Sequence, residues 1–183
     1  MHSKRFRGSP QFLRTPGRVA RLEVPRVVAL SREGIAADSV LDVGTGSGLF
    51  AEAFRQGAKR VAGVDVSEEM LTVARQAVPS VTFVQASMED LPFAAQAFDL
   101  IFLGQVLHEA ESMERALAEA FRCAARRVAV LEWPPDREEA MGPPLAHRLQ
   151  PEEVLAAGEA LGCQRCEALS LKHFVLYRFT LAR

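Results

Sequence analysis

The chain has 183 residues, of which 49% are apolar and 25% are charged, a balance typical of one globular domain. Its net charge of −1 provides no overall positive field for nucleic acid, and no apolar run approaches the ~20 residues of a membrane span. No secretory signal peptide is recognisable, because the basic N-terminus lacks an apolar core. We therefore expect a cytoplasmic setting and no membrane partner, with the oligomeric state left open.

A basic arm occupies residues 1–26, which contain seven Lys or Arg residues and a single acid, Glu23. Pro and Gly interrupt its beginning, so we expect loops or short helices there, followed by a helix over 22–30 that covers a sheet. Three interpretations of the arm stay open: a solvated segment, a flap over the binding site, or a contact for an anionic substrate or RNA. Residues 27–183 are expected to form one domain without internal repeats.

The stretch VLDVGTGSG at 40–48 is the strongest local signal. A short apolar run predicts a buried parallel strand, glycine then recurs at every second position, and 49–54 has the apolar spacing of a helix. Glycines let the chain turn tightly and let a ligand approach the backbone. This order of strand, glycine loop and helix predicts the first half of a nucleotide-binding βαβ unit.

The spacing of the glycines and an adjacent acid indicate which ligand binds. A dinucleotide fingerprint, G-x-G-x-x-G, would need its third glycine at Leu49. Asp42 lies at the end of the strand, where a carboxylate would repel a pyrophosphate and attract a cation. S-adenosylmethionine (SAM) carries a sulfonium and an ammonium but no phosphate, so electrostatics favour SAM over NAD. The competing interpretation is that Asp42 only caps the loop.

Asp65 follows the second predicted strand, at 61–64, where its carboxylate can accept hydrogen bonds from ribose hydroxyls. This feature fits NAD and SAM alike. Further along, apolar patterns predict helices at 67–77, 111–124 and 152–161 and strands at 81–84, 98–103, 128–131, 167–171 and 174–181. Only two residues separate the last two strands, so we expect an antiparallel hairpin.

Cys163 and Cys166 form a C-x-x-C pair near the start of a predicted strand. No second pair completes a zinc site, and no surrounding βα pattern indicates a redox centre. We expect both residues to be reduced.

Four segments in order resemble the motifs of class I SAM-dependent methyltransferases: VLDVGTGSG, VAGVDVSEEML, VQASMEDLPF and FDLIFLGQVLHEAES. The resemblance covers about 40–133 and is strongest to small methyltransferase-type-11-like proteins, including those similar to quinone-biosynthesis enzymes. It implies a single-domain, Rossmann-like α/β fold. The expected seven-stranded sheet is mostly parallel, with an antiparallel C-terminal hairpin and helices on both faces.

The resemblance also implies the ligands and the contacts of the cofactor. SAM would be the cofactor and S-adenosylhomocysteine the product, with no metal. In the family pattern an aspartate accepts from the adenine amino group; Ser87 stands at that position here, and the backbone N–H of Met88 would meet the ring. The cofactor-binding residues expected in all are Asp42, Gly44, Thr45, Gly46, Asp65, Val66, Ser87, Met88, Glu89 and Gln105.

The second substrate is expected beyond the fourth strand, at the carboxyl ends of the parallel strands. His108 is the histidine in this loop and the candidate general base; the alternative is that it caps or packs the next helix. Trp133 is a candidate wall of the substrate mouth. The N/D-P-P-Y/F motif of enzymes that methylate base amines is absent from this position.

This absence argues against methylation of DNA bases. The short sequence shows no large lid or added recognition domain, so the acceptor is expected to be a small organic molecule. Two alternatives remain: an RNA-directed methyltransferase that uses the basic arm, and a SAM-binding protein that is not a catalyst.

Overall fold

The computed structural model describes residues 8–137 and 142–182. Seven strands form one sheet in the order β3-β2-β1-β4-β5-β7-β6. The strands are β1 Ser39–Val43, β2 Arg60–Asp65, β3 Thr82–Gln85, β4 Phe98–Gly104, β5 Ala124–Glu132, β6 Arg165–Ser170 and β7 Val175–Thr180. The predicted fold class is confirmed.

Helices pack on both faces of this sheet, as expected. They are α1 Pro16–Arg21, α2 Val24–Arg32, α3 Leu49–Arg55, α4 Glu68–Ala77, α5 Met113–Cys123 and α6 Pro151–Ala160, with 3-10 turns at Pro10–Arg14, Leu107–Glu109 and Leu145–His147. The first seven residues of the basic arm, and residues 138–141 of the loop that follows β5, lie outside the described residues. No helix in the part of the chain that the structure describes has the length and apolar character needed to cross a bilayer.

The crevice of the sheet lies between β1 and β4. From β1 the chain runs outward through β2 and β3, and it then returns to pair β4 with the other side of β1. Ligands bind at such a reversal point, beyond the carboxyl ends of the strands, because the loops there diverge. The topology thus brings the glycine loop after β1 and the loop after β4 to one place.

The core is divided between the two faces of the sheet. Helices α2, α3 and α4 cover one face, where Phe54 and Phe102 are fully buried and meet edge to face at 5.1 Å. Helices α5 and α6 cover the other, where Leu117 and Val154 are 0% exposed. Truncating one buried Phe to Ala lowers the free energy of unfolding by about 3–5 kcal/mol. The packing of either layer therefore contributes a large share of the stability.

The C-terminal hairpin inserts its second strand into the sheet. β7 pairs antiparallel with both β5 and β6, and Tyr177 stands opposite Val130. α5 leads directly into β5: Cys123 ends the helix and Ala124, already extended at φ −83° and ψ 134°, begins the strand. This turn needs no glycine because no residue in it adopts a positive φ.

The expectation for the C-x-x-C pair was wrong, because the structure joins Cys163 and Cys166 in a disulfide. Gly162, at φ +82°, turns the chain after α6 and brings Cys163 next to the start of β6. The C-x-x-C spacing alone did not indicate this pairing, because the turn that brings the two cysteines together is seen only in the structure.

Candidate functional site

The glycine loop after β1 is held in a conformation that only glycine adopts easily. Gly44, Gly46 and Gly48 have φ values of +66°, +52° and +78°. A Cβ atom on Gly44 would lie 2.4 Å from Cγ2 of Val106 in the loop after β4, closer than two carbons can approach. Glycine at position 44 therefore lets the two crevice loops touch.

Asp42 is buried beneath this loop. Its Oδ2 accepts hydrogen bonds from the hydroxyl of Thr45 at 2.7 Å and from the backbone N–H of Ala51 at 3.0 Å, so it joins the loop to α3. Burial raises the pKa of Asp42 to about 7, against the opposing effect of these two hydrogen bonds. The structure thus places the Asp42 carboxylate against the protein backbone, the capping arrangement considered as the alternative above, and Thr45 beside it.

Asp65, at the end of β2, connects the glycine loop with α4. Its Oδ2 accepts from the N–H of Gly46 at 2.8 Å, and its Oδ1 accepts from the N–H of Ser67 at 2.9 Å. Ser67 caps α4 by accepting from the N–H of Met70. Asp65 is thereby fixed at the mouth of the crevice.

An open cleft of about 480 Å³ lies between the loops after β1, β2, β3 and β4. Six of the predicted cofactor-binding residues line it: Gly44, Asp65, Val66, Ser87, Met88 and Glu89. Asp42, Thr45, Gly46 and Gln105 are the predicted residues that do not line it.

The cleft is strongly acidic. Its described lining includes the carboxylates of Asp65, Glu89, Glu109 and Glu111 and no Lys or Arg. Such a lining attracts a cation and repels a pyrophosphate. The negative charge expected at this site from Asp42 is thus provided by these four side chains, because Asp42 lies outside the cleft and its pKa is raised to about 7.

The loop after β3 is tied to the loop after β4. The hydroxyl of Ser87 accepts from the N–H of Glu89 at 3.2 Å, which shapes the turn. Oε1 of Glu89 accepts from the N–H groups of Glu111 at 2.7 Å and Ser112 at 3.1 Å. These contacts close the cleft on the side opposite the glycine loop.

Gln105, directly after β4, has a strained backbone and contacts the arm. Its φ of +59° is rare for a residue with a side chain, and its N–H donates to the carbonyl of Leu131 at 2.7 Å. The guanidinium of Arg18, on α1, donates to Oε1 of Gln105 at 2.8 Å. The arm therefore reaches over to the acceptor side of the crevice.

The arm also packs on the glycine loop. Nε of Arg14 donates to the carbonyl of Ser47 at 3.0 Å, and its NH1 donates to Glu52 at 2.8 Å. The side chain of Leu13 lies so near Gly46 that a Cβ there would come within 2.8 Å of it. Residues 8–26 are thus docked on the site rather than extended into solvent.

His108, in the 3-10 turn after β4, forms a buried pair with Glu132 at the end of β5. Its Nδ1 lies 3.0 and 2.9 Å from the two carboxylate oxygens, and its backbone N–H donates to Oε1 at 3.1 Å. Glu132 also accepts from the N–H of Trp133 at 3.2 Å. His108 is 7% exposed and Glu132 is 2% exposed.

The pair uses one of the two imidazole nitrogens and leaves the other able to accept a proton. Because Nδ1 donates to Glu132, the lone pair of the neutral ring is on Nε2, which lies 4.0 Å from Oε1 of the cleft residue Glu109. Burial lowers the pKa of His108, but the charge and hydrogen bond of Glu132, with the charge of Glu109, outweigh it and raise that pKa.

The loop after β5 covers the far side of this pair. Trp133 is 4% exposed, packs against Phe174 at 4.9 Å, and lies below the guanidinium of Arg148, 5.8 Å from the ring centre. Arg148 donates to the carbonyls of Pro134 at 2.7 Å and Pro143 at 3.0 Å. The structure therefore places Trp133 in the core beneath the loop.

Two residues of the site were not found from the sequence, Glu132 and Arg18. For Glu132 a signal existed: a lone acid follows the apolar run VAVL, as Asp65 follows VAGV. For Arg18 the arm offered seven basic side chains and nothing that distinguished one from another.

The sequence and the fold are similar to those of known methyltransferases. A family model described as "Methyltransferase domain" matches residues 41–139. A malonyl-[acyl-carrier protein] O-methyltransferase from Pectobacterium atrosepticum is 34% identical over 45% of this chain and 33% of its own length. A demethylmenaquinone methyltransferase from Chlorobaculum parvum is 36% identical over 53% of this chain and 43% of its own length. The chain thus spans less than half the length of these relatives.

A crystal structure of a SAM-dependent methyltransferase from Aquifex aeolicus superposes with a TM-score of 0.82 at 25% identity. The match covers 94% of this chain and 97% of the other. The family model covers more than half of the sequence, and the sheet has the family's strand arrangement. The chain belongs to the methyltransferase-domain family of class I SAM-dependent methyltransferases.

Proposed function

We propose that the protein transfers a methyl group from SAM to a small-molecule acceptor that must lose a proton, with His108 as the general base. The observation that carries this proposal is the buried His108–Glu132 pair beside the acidic cleft. A histidine used only for packing does not need a buried carboxylate to raise its pKa.

The described residues fit SAM. Asp65 would hold the ribose hydroxyls, and Ser87 and the backbone of Met88 would hold the adenine, as the family resemblance implies. The carboxylates of Glu89, Glu109 and Glu111 give the cleft the negative charge that suits a cationic cofactor.

Bound SAM supplies a methyl group made electrophilic by its sulfonium. The protein's own contribution is to align the acceptor with that methyl, which can be worth roughly 7–11 kcal/mol. His108 accepts the proton of the acceptor at Nε2, while its Nδ1–H keeps donating to Glu132, whose carboxylate stabilises the imidazolium that forms. A base at this point contributes typically about 10²- to 10⁴-fold.

We propose further that residues 8–26 act as a flap over the bound cofactor. Arg14 holds the glycine loop and Arg18 holds the end of β4, so the arm spans both sides of the crevice. Deleting residues 1–20 should then raise the dissociation rate of S-adenosylhomocysteine; an unchanged rate would contradict a flap.

The RNA-directed alternative gains little from the described part of the arm, residues 8–26. Arg14 pairs with Glu52, Arg18 contacts Gln105, and Arg26 pairs with Glu23. Arginines engaged within the protein are less available for phosphates. Salt-dependent RNA binding that disappears on deletion of the arm would favour this alternative.

The chemical class of the acceptor is proposed from the role of His108 and from the acceptors named for the matched relatives. Names of the matched relatives indicate acceptors as different as a malonyl thioester and a demethylated quinone. A malonyl carboxylate is already ionised at neutral pH and needs no base. The demethylated quinone, in its reduced form, offers an oxygen or a carbon that becomes nucleophilic when a proton leaves, which suits a base such as His108. We therefore propose acidic small molecules of this kind.

The test is turnover. The purified protein is incubated with SAM and a panel that includes a malonyl thioester, a demethylated quinone and simple phenols, and formation of S-adenosylhomocysteine is measured. Turnover with a panel member that is lost in His108→Ala supports the proposal. Tight binding of S-adenosylhomocysteine without turnover on any acceptor would favour the non-catalytic alternative.

A further inference from the structure

The two edges of the sheet differ in how their backbone groups are covered. β3 forms one edge, where the guanidinium of Arg75 donates to the carbonyl of Phe83 at 3.4 Å and so covers a backbone acceptor. β6 forms the other edge, and no side chain in the described part of the chain forms a hydrogen bond with its backbone. An uncovered edge strand is a template for a further strand. The β6 edge is therefore the place where another strand can pair.

The hairpin fixes which backbone groups of β6 point away from the sheet. The N–H of Leu171 donates to the carbonyl of Phe174 at 2.8 Å, so in the alternating antiparallel ladder every second residue before it also bonds to β7. Cys166, Ala168 and Ser170 fall between those residues, and their N–H and C=O groups face outward. None of the three is Pro or charged, the residue types that commonly block an edge.

The charged side chains of β6 indicate which strand pairs with it. Arg165 and Glu167 alternate with the outward-facing residues and form a salt bridge at 2.8 Å. A second, antiparallel β6 with Cys166 opposite its own equivalent places Arg165 of each copy opposite Glu167 of the other. Opposite charges facing each other across a strand pair stabilise it. Centring the pair on Ala168 would instead bring the two Glu167 side chains into diagonal positions, so the charges favour the register centred on Cys166.

Apolar surface lies beside the same edge. Leu161, between α6 and β6, is one of three large hydrophobic residues that are exposed within the described ranges. In the register centred on Cys166, the turn that contains it comes next to the exposed Ala168 of the other copy. We propose that β6 pairs antiparallel with β6 of a second copy of this chain, about a two-fold axis at Cys166, and joins two seven-stranded sheets into one.

The length and position of β6 determine the strength and the effect of this dimer. β6 has six residues, so the shared ladder is short and the buried surface falls below the ~1,200 Å² of a stable interface. We expect a dissociation constant in the micromolar range. β5 and β7 separate β6 from the crevice between β1 and β4, so dimerisation leaves the cleft open.

Sedimentation equilibrium of the full chain measures the dimer for the wild type and for two edge variants. Ala168→Pro removes an outward N–H that the fold does not use, and it should weaken the dimer about tenfold or more. Arg165→Glu places acids opposite acids and should weaken it by about tenfold. Lys59→Glu is the matched charge reversal, at an exposed residue next to β2, and should leave the dimer unchanged.

Cross-linking tests the register. Cys163→Ser releases Cys166 from its disulfide, and a directly opposed, hydrogen-bonded pair has a Cα separation of ~5.5 Å, within the reach of a disulfide. Oxidised glutathione then joins the two Cys166 thiols in one disulfide and is itself reduced to two glutathione molecules. We expect a covalent dimer from Cys163→Ser on a non-reducing gel. Cys166→Ser, which leaves Cys163 free instead, is the matched control and should stay monomeric on that gel.

A dimer that is weakened by both edge variants and cross-linked through Cys166 supports the inference. A wild type that stays monomeric at millimolar concentration overturns it, as does a dimer that neither Ala168→Pro nor Arg165→Glu weakens. Equal cross-linking of the two cysteine variants, or none in either, overturns the two-fold axis at Cys166. If circular dichroism shows that Ala168→Pro does not fold, Arg165→Glu and the cross-link decide. Calorimetry should find the same affinity for S-adenosylhomocysteine in Arg165→Glu and the wild type, because the edge lies away from the cleft.

Discussion

Two carboxylates at the carboxyl ends of strands, Asp42 after β1 and Glu132 at the end of β5, have the same burial and different partners. Each residue is 2% exposed. Asp42 accepts from a hydroxyl and a backbone N–H, neither of which titrates near neutral pH. Glu132 accepts from the imidazole of His108 as well as from two backbone N–H groups.

The difference shows that the partner, rather than burial, decides what a buried acid does. With neutral donors, desolvation dominates and the pKa of Asp42 rises to about 7, so the side chain works as a brace for the loop. With an imidazole as partner, the negative charge of Glu132 raises the pKa of His108 and prepares it to take a proton. Four predictions test this comparison.

Replacing His108 by Ala should have the largest effect. We expect kcat to fall by about 10²- to 10⁴-fold, because the base is removed, with little change in the affinity for S-adenosylhomocysteine. His147→Ala, in the 3-10 turn Leu145–His147, is the matched control and should change kcat less than twofold. A His108→Ala enzyme with nearly normal kcat but lower stability would show that His108 only packs.

Replacing Glu132 by Gln should lower kcat by about 10- to 100-fold, since a hydrogen bond to a charged group is worth ~1.5–3 kcal/mol. In the wild type the rate should rise with pH through a midpoint above the ordinary histidine value of ~6.5, because only neutral imidazole accepts a proton. The variant should move this midpoint to lower pH. An unmoved midpoint in a folded variant would disprove the coupling.

Much of this architecture could be predicted from the sequence, because the apolar patterns and the glycine loop are local. The His108–Glu132 pair could not, since it depends on the register of β4 against β5, where Gly104 lies opposite Leu131. The loop after one strand and the end of the next therefore meet only in the folded sheet. The same limit applies to Arg18, whose partner is 87 residues away.

Asp65 is a third acid at the carboxyl end of a strand, and it can be compared with Asp42 and Glu132. Unlike Asp42, it lines the cleft. Asp65→Ala should weaken S-adenosylhomocysteine by about 1–3 kcal/mol, the cost of leaving ribose hydroxyls without an acceptor. Calorimetry measures it, and Asp38→Ala, an exposed acid paired with Lys59, is the control. Equal affinities of the Asp65 variant and the wild type would remove Asp65 from the site.

The smallest expected effect is that of Asp42 on how the free energy of unfolding depends on pH. A carboxyl group whose pKa is raised on folding binds more protons in the folded state, so the wild type should lose stability as pH rises toward 7. We expect the free energy of unfolding to fall by about 1 kcal/mol between pH 5 and 6 relative to Asp42→Asn. Urea denaturation at several pH values measures this. Parallel pH profiles of the two proteins would contradict the raised pKa.

The insertion of β7 has a consequence for how the chain is made. β6 is synthesised before β7, yet its described sheet neighbour is β7, and β7 also completes the hydrogen bonding of β5. A nascent chain that ends after β6 therefore leaves the edge of β5 open and β6 without a place in the sheet. Tyr177 and Phe179, both 0% exposed in the finished fold, are also missing from its core. Such an intermediate exposes an unpaired strand edge until β7 leaves the ribosome, so cotranslational folding of this sheet must wait for β7.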